Sequence, residues 1–283
     1  MSRRAPFLPD RHPQGDFFIA DILDAAPKDD LGSMEHPMFA LRAGDRRVRR
    51  YEHNGNSIEI QPGAKGLATQ HDKDILIYCV SQLVAAINRG RTPSRVVRLT
   101  AYDLLVSTNR PTSGVGYHRL QEAMDRLRGT TISTNIKTGD TRVREGFGLI
   151  DSYRIIERDG EERMAAVEIT LSQWLYRAVE SMQVLSISRD YFRLRRPLER
   201  RLYELARKHV GVQPSWTVSL STLHVKAGSG GSLREFRRKI ESAAASDHLP
   251  EYRLTYRRTG DRVTFYARGP KGAIKQIQGS LNL

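Results

Sequence analysis

Residues 228–243 read GSGGSLREFRRKIESA. Three glycines and two serines make a turn, and Ser232 is placed to cap the helix that follows. Leu233, Phe236, Ile240 and Ala244 recur at helical spacing and mark the stripe this helix buries. Arg234, Arg238 and Glu241 lie on another face, and Arg237 borders the stripe. Upstream, PLERRLYELARKHVG (197–211) reads as a helix opened by proline and closed by glycine. WTVSL reads as a strand and STLHVKAG as a short helix. Downstream, EYRLTYRR and RVTFYARG flank Thr259-Gly260-Asp261 as a hairpin. Helix, strand, helix, turn, helix and hairpin is the order of a winged helix.

The order recurs upstream. TQHDKDILIYCVSQLVAAINRG predicts a helix with Thr69 as N-cap, Asp72 three residues on, and Gly90 at its end. Ile75, Leu76, Cys79, Val80, Leu83 and Ile87 share one face. RVVRLT predicts a strand and AYDLLVSTN a short helix. Pro111, Gly114 and Gly116 make a turn before the helix YHRLQEAMDRLRG. TTISTNI and REGFGLIDSYRII, around Gly139-Asp140, predict the closing hairpin. Asn54-Gly55 marks a further hairpin nearer the N-terminus. The expected fold is therefore α+β: two tandem winged-helix domains, residues 36–160 and 161–283, joined near 158–166. A flexible N-terminal arm, residues 1–35, precedes them and carries one apolar patch, FFIADILDAA.

The chain has 283 residues, 46 Lys+Arg and 32 Asp+Glu, for a formal net charge of +14 and a pI near 10.1. Residues 1–160 hold 24 basic against 20 acidic side chains, whereas residues 161–283 hold 22 against 12. Such an excess favours a polyanionic partner, nucleic acid or an anionic membrane surface, and places the main binding face in the second half. The plainer alternative is a merely basic globular protein. Cys79 is the only cysteine, which excludes an internal disulfide and a cysteine-rich zinc site. No apolar run is long enough to span a membrane, and the first residues lack the apolar stretch of a signal peptide. A cytoplasmic protein is expected.

In a winged helix the helix after the turn enters the major groove, where arginine meets guanine O6 and N7. The residues expected at duplex DNA are Ser232, Arg234, Arg237 and Arg238, with Lys226 just ahead of the turn. Arg257, Arg258 and Arg262, with Arg253, would follow phosphates along the hairpin. RLRRPLERR would add Arg195, Arg196 and Arg200, with Arg193 and Arg201. The alternatives are a solvated basic face for the helix and surface pairing with Glu199 and Glu204 for the arginine run. In the first domain, His118, Gln121, Glu122, Asp125 and Arg126 mark the outer face. Two carboxylates there predict weaker contact, through Arg110, Tyr117, Arg119 and Arg128, or a structural or dimer role.

No phosphate-cradling G-x-x-x-x-G-K-[ST] occurs, and GVGYHR lacks the third glycine of a dinucleotide loop. No histidine pair has metal-ligand spacing. No catalytic group, metal or cofactor is expected, and the chain reads as a binding protein. A nicking enzyme built on Tyr117 or Tyr203 is the catalytic alternative.

ADILDAAPKDDLGSMEHPMFAL (20–41), YEHNG (51–55), KGLATQHDKDILIYCVSQL (65–83) and PLERRLYELARKH (197–209) resemble the replication initiator protein A family of theta-replicating bacterial plasmids. The general pattern runs from about residue 16 to 267. The resemblance implies a replication initiator that binds repeated origin sequences, the iterons, in duplex DNA. It also implies opening of an adjacent AT-rich segment, recruitment of the host helicase or helicase loader, and a homodimer that represses its own promoter. A winged-helix transcriptional regulator without a replication role is the alternative reading.

Overall fold

The computed structural model describes residues 7–9, 11, 28–30, 33–34, 36–53, 56–134, 137–138, 141–142, 145–158 and 161–281. The chain folds as two compact units. The first comprises Asp10–Asp30 and Met38–Ser186, and the second Met1–Pro9, Leu31–Pro37 and Ile187–Leu283.

The first unit contains β1 (Lys28–Asp30), β2 (Arg49–His53), β3 (Asn56–Gln61), α1 (Lys73–Asn88), β4 (Val96–Thr100), α2 (Ala101–Ser107), α3 (Gly114–Gly129), β5 (Thr131–Thr134), β6 (Lys137–Thr138), β7 (Thr141–Arg142), β8 (Glu145–Gly148), β9 (Ile150–Arg158), β10 (Glu161–Leu171), α4 (Gln173–Glu180) and β11 (Val184–Ser186). Two sheets dominate it, in the orders β2-β3-β5-β8 and β4-β10-β9. The apolar positions of α1 do face the core: Ile75, Leu76, Cys79, Val80 and Leu83 are buried with Leu104, Leu120, Met124, Leu127 and Ile169. Thr69 and Asp72 exchange hydrogen bonds, at 2.8 and 3.2 Å, in a turn just ahead of α1.

In the second unit follow a 3-10 turn at Arg189–Arg193, α5 (Pro197–Val210), β12 (Ser215–Ser219), α6 (Leu220–Lys226), α7 (Leu233–Ser246), β13 (Tyr252–Arg257), β14 (Arg262–Ala267) and α8 (Pro270–Leu281). Its sheet has the order β12-β14-β13. Leu202, Leu205, Leu223, Phe236, Ile240, Val263 and Phe265 fill its core.

The two units repeat one topology. In each, a helix leads to a strand that passes without a loop into a short helix. A turn and a second helix follow and then, after β5–β8 in the first unit and directly in the second, two antiparallel strands, the last of which is central. Thr100 caps α2 by accepting from Asp103 N, and Ser219 caps α6 by accepting from Thr222 N, both at 3.1 Å. Gly116 lets α3 press against the turn before it, since a Cβ there would lie 1.8 Å from Pro111 O.

Two features differ from expectation. The junction predicted near 158–166 lies within the β9–β10 hairpin, where Ile155 pairs with Val167 and Tyr153 with Ile169. The units part instead between Ser186 and Ile187. The closing hairpin predicted from TTISTNI and REGFGLIDSYRII forms only in part: β5 pairs with β8 and joins β2 and β3, whereas IDSYRII lies in β9 and pairs with β10. Of the expected arm, Phe7, Leu8 and Lys28–Asp30 are held through the backbone. Leu8 N donates to Arg193 O at 2.7 Å, and Phe7 bridges Leu194. β1 pairs with β11. FFIADILDAA, Asn54-Gly55 and Gly139-Asp140 lie outside the described residues. No helix among the described residues is long and apolar enough to cross a membrane.

Asp45 organises the arginines at the start of β2. It is 2% exposed and accepts from Arg47 Nη2 at 2.8 Å and Arg49 Nη2 at 2.9 Å. These bonds, Arg47's first, hold its carboxyl well below the usual carboxylate range despite burial. A carboxylate so depressed contributes stability above its unfolded value, about 3.9, and that contribution fades as pH falls through the folded value. Asp45→Asn is therefore expected to lower the first unit's stability by about 1–3 kcal/mol at neutral pH. In denaturant titrations the two proteins should begin to converge only below about pH 4 and continue to do so as pH falls further.

Candidate nucleic-acid interface

Helix α7 begins as its sequence dictates. Ser232 Oγ accepts from Glu235 N at 3.3 Å, and Glu235 Oε2 accepts from Ser232 N at 3.2 Å. Two of the donors left over at a helix start are thereby satisfied. Gly231 permits this, because a Cβ there would stand 2.7 Å from the Glu235 carboxylate. His224 Nε2 lies 2.8 Å from Gly231 O and its ring meets Phe236 edge-on, which ties α6 to the turn. Phe236, Ile240 and Ala243 are buried, while Leu233 and Ala244 are half-buried.

On a helical wheel Arg237 and Lys239 border this stripe at equal angles, one on each side. The hairpin decides between them. Arg237 donates to Asp261 Oδ2 at 2.8 Å and to Tyr256 Oη at 3.0 Å. That bond, with the Tyr256 hydroxyl, holds the Asp261 carboxyl below its usual range. One turn on, Arg258 Nη2 meets Glu241 Oε1 at 2.8 Å. The β13–β14 turn thus covers the Arg237–Glu241 side. Arg234, Arg238, Lys239 and Ser242 are exposed, the two arginines on the face they share with Glu241 and Lys239 on the far side of the helix. No carboxylate among the described residues pairs with Arg234, Arg238 or Lys239.

At the end of the hairpin Arg257 sits directly opposite Arg262, and both are exposed. Like charges facing across two strands repel, which is unfavourable until an anion intervenes. The matching sheet of the first unit is different. There Glu168 stands between Arg98 and Arg154 in one cross-strand row, and Arg154 lies 3.6 Å from it.

The remaining predicted residues divide sharply. Arg200 does not reach the surface. It is 1% exposed, donates to Leu194 O and Phe192 O at 2.9 Å each, and lies over the Tyr191 ring. Arg201 is likewise buried: it meets Glu204 at 3.1 Å and donates to the carbonyls of Ser33, Met34 and Lys226. The pairing with acids named as the alternative is what forms, but inside the unit. Arg196 is exposed and lies 3.3 Å from Glu199. Arg195 and Lys226 are half-buried, and Arg193 pairs with Asp190 at 3.0 Å. Arg253 pairs with Asp247 at 3.1 Å beyond the end of α7.

In the first unit Arg110 is committed to buried Asp74, at 3.5 Å, and to His71 O. Tyr117 packs against the core, while Arg119 and Arg128 are exposed. Of the acids on α3, Asp125 is taken up by Lys65, at 2.7 Å, and by the Tyr153 hydroxyl. Arg126 grips Asp72 through two bonds of 2.7 and 2.9 Å. Lys239 and the exposed side chains Tyr102 and Val115 escaped the sequence reading, because periodicity does not say which border of a stripe a neighbour covers. Among the described residues no cluster of three or more His, Cys, Asp or Glu could hold a metal ion.

The family model described as replication initiator protein A matches residues 28–254. Over 272 residues the chain is 38% identical to a "Putative replication protein" of Wigglesworthia glossinidia brevipalpis, covering 95% of this chain and 99% of that one. Among solved structures it is similar to domains 2 and 3 of RctB, with a TM-score of 0.61 and 14% identity over 85% of this chain and 97% of that one. A second structure of RctB domains 2–3 gives a TM-score of 0.54 at 14% identity, over 87% and 98%. At such identity the likeness is one of fold.

Proposed function

The chain belongs to the replication initiator protein A family, and on that premise we propose that it binds repeated origin sequences, the iterons, in duplex DNA as two winged helices. α7 lies in the major groove with Arg234 and Arg238 toward guanine edges. Lys239 and the Arg257–Arg262 pair neutralise phosphates beside it. Bound in this way it promotes opening of the origin and recruits the host helicase or its loader. The observation that carries the reading is α7 with three exposed cations that have no carboxylate partner among the described residues, together with the exposed Arg257–Arg262 pair at the end of the hairpin, which has none there either. The repeated topology supports the two-unit part.

Selection from random duplexes tests it. The reading expects one recurrent motif, and a log K against log salt plot falling with a slope of about −0.9 per phosphate neutralised. The selected repeats together with the gene should sustain a plasmid that has no other origin. Recovery of the motif without plasmid maintenance would favour a transcriptional regulator.

The reading gives the chain no chemistry of its own. Tyr203, one of two tyrosines considered for strand nicking, is 0% exposed and its hydroxyl is hydrogen-bonded to Ser188 N and Glu251. Burial and Glu251 push that phenol far above its usual range, the opposite of an activated nucleophile. Incubation with supercoiled DNA and Mg²⁺ should leave it closed. A nicked circle or covalent adduct would contradict the proposal.

A further inference from the structure

Counted from their N-caps, Ser113 and Ser232, helices α3 and α7 expose the same two positions, the second and the sixth. In α7 these are Arg234 and Arg238. In α3 they are Val115 and Arg119, with Val115 59% exposed. Residues four apart share one helix face, so each pair presents two neighbouring tips to the same partner. α2 and α6 expose a hydroxyl at their own second positions, Tyr102 and Ser221. The first unit thus has the placement of the second but a different tip at its leading position: a branched apolar side chain beside one arginine.

We propose that Val115 is a specificity-determining residue, which packs against the 5-methyl group of a thymine in the major groove while Arg119 lies over the adjoining base or phosphate. The proposal rests on the reading of these helices as DNA-contacting. Apolar contact with that methyl is how an uncharged side chain distinguishes thymine there. An isopropyl group held in water at the start of a helix, beside a cation, gains from such burial and offers nothing to a phosphate. Pairing of the nearby acid supports the placement. Asp125 is neutralised by Lys65, which leaves Glu122, 4.0 Å from His118, as the carboxylate on that side. The first unit would then read a T-containing element, and the second a G-containing one.

The test uses the full-length protein and its selected duplex, with each thymine replaced singly by deoxyuridine, which removes only the methyl. For the wild type, one replacement should weaken binding about fourfold, the worth of one buried methyl group. Val115→Ala should bind the thymine and uracil duplexes alike at that position, while Arg234→Ala should keep the full thymine preference there. Indifference of the wild type to every replacement would overturn the proposal, as would a Val115→Ala protein that keeps the penalty. Failure of the underlying reading would appear separately, as unchanged selectivity in the Arg234→Ala/Arg238→Ala protein.

Discussion

Arg234→Ala/Arg238→Ala should lose most of its preference for the selected duplex over random DNA, keeping only the thymine preference of the first unit. Each bidentate arginine–guanine contact is worth about 1–3 kcal/mol of discrimination, so losing both should cost roughly thirtyfold to twenty-thousandfold in selectivity. Non-specific binding should persist, because Lys239 and the Arg257–Arg262 pair remain. Competition titrations at one fixed salt concentration separate the two effects. The fold should be intact, since both side chains are exposed and form no ion pair among the described residues. Loss of all binding in equal measure would instead assign these arginines to phosphates.

The second large effect lies inside the second unit. Arg201 and Glu204 are 2% and 0% exposed, and Tyr191 Oη donates to the same carboxylate at 2.7 Å. Arg201→Met would remove one partner of a buried ion pair, which typically costs about 3–5 kcal/mol. The carbonyls of Ser33, Met34 and Lys226 would lose a donor as well. For a unit of roughly this size the melting transition should fall by about 12 °C or more. Adding Glu204→Leu removes the other partner, so the double variant should melt above the single one. If Arg201→Met melted with the wild type, the arginine would not be the link between α5, Met34 and the end of α6.

The contrast between these arginines shows what the sequence could and could not convey. α7, its serine cap and the β13–β14 hairpin were legible because the apolar period, the cap and the turn glycine all agree. The first unit's closing hairpin was not. The polar stretch RDGEE carries the same signals whether it tips a hairpin or links two domains, and only the pairing of β10 with β4 decides. Burial was hidden in the same way along α5, where Glu199, Arg200, Arg201 and Glu204 all lie inside. A basic run reads as a surface unless its partners are known, and those partners come from Phe192, Leu194, Ser33 and Met34, remote in sequence or on the preceding turn. Similarly, Arg110 reads as a free cation until Asp74 is folded against it. The sequence reading named Arg237 alone at the border of the stripe, and the downstream hairpin made it a brace and left Lys239 exposed.

The measurement that bears most directly on α7 in the major groove uses 7-deazaguanine. It replaces the N7 acceptor with C–H and leaves base pairing and the minor groove untouched. Substituted into the selected duplex, it should weaken wild-type binding about tenfold or more at one or two guanines and leave the Arg234→Ala/Arg238→Ala protein unaffected. Wild-type affinity unchanged at every guanine would contradict the account.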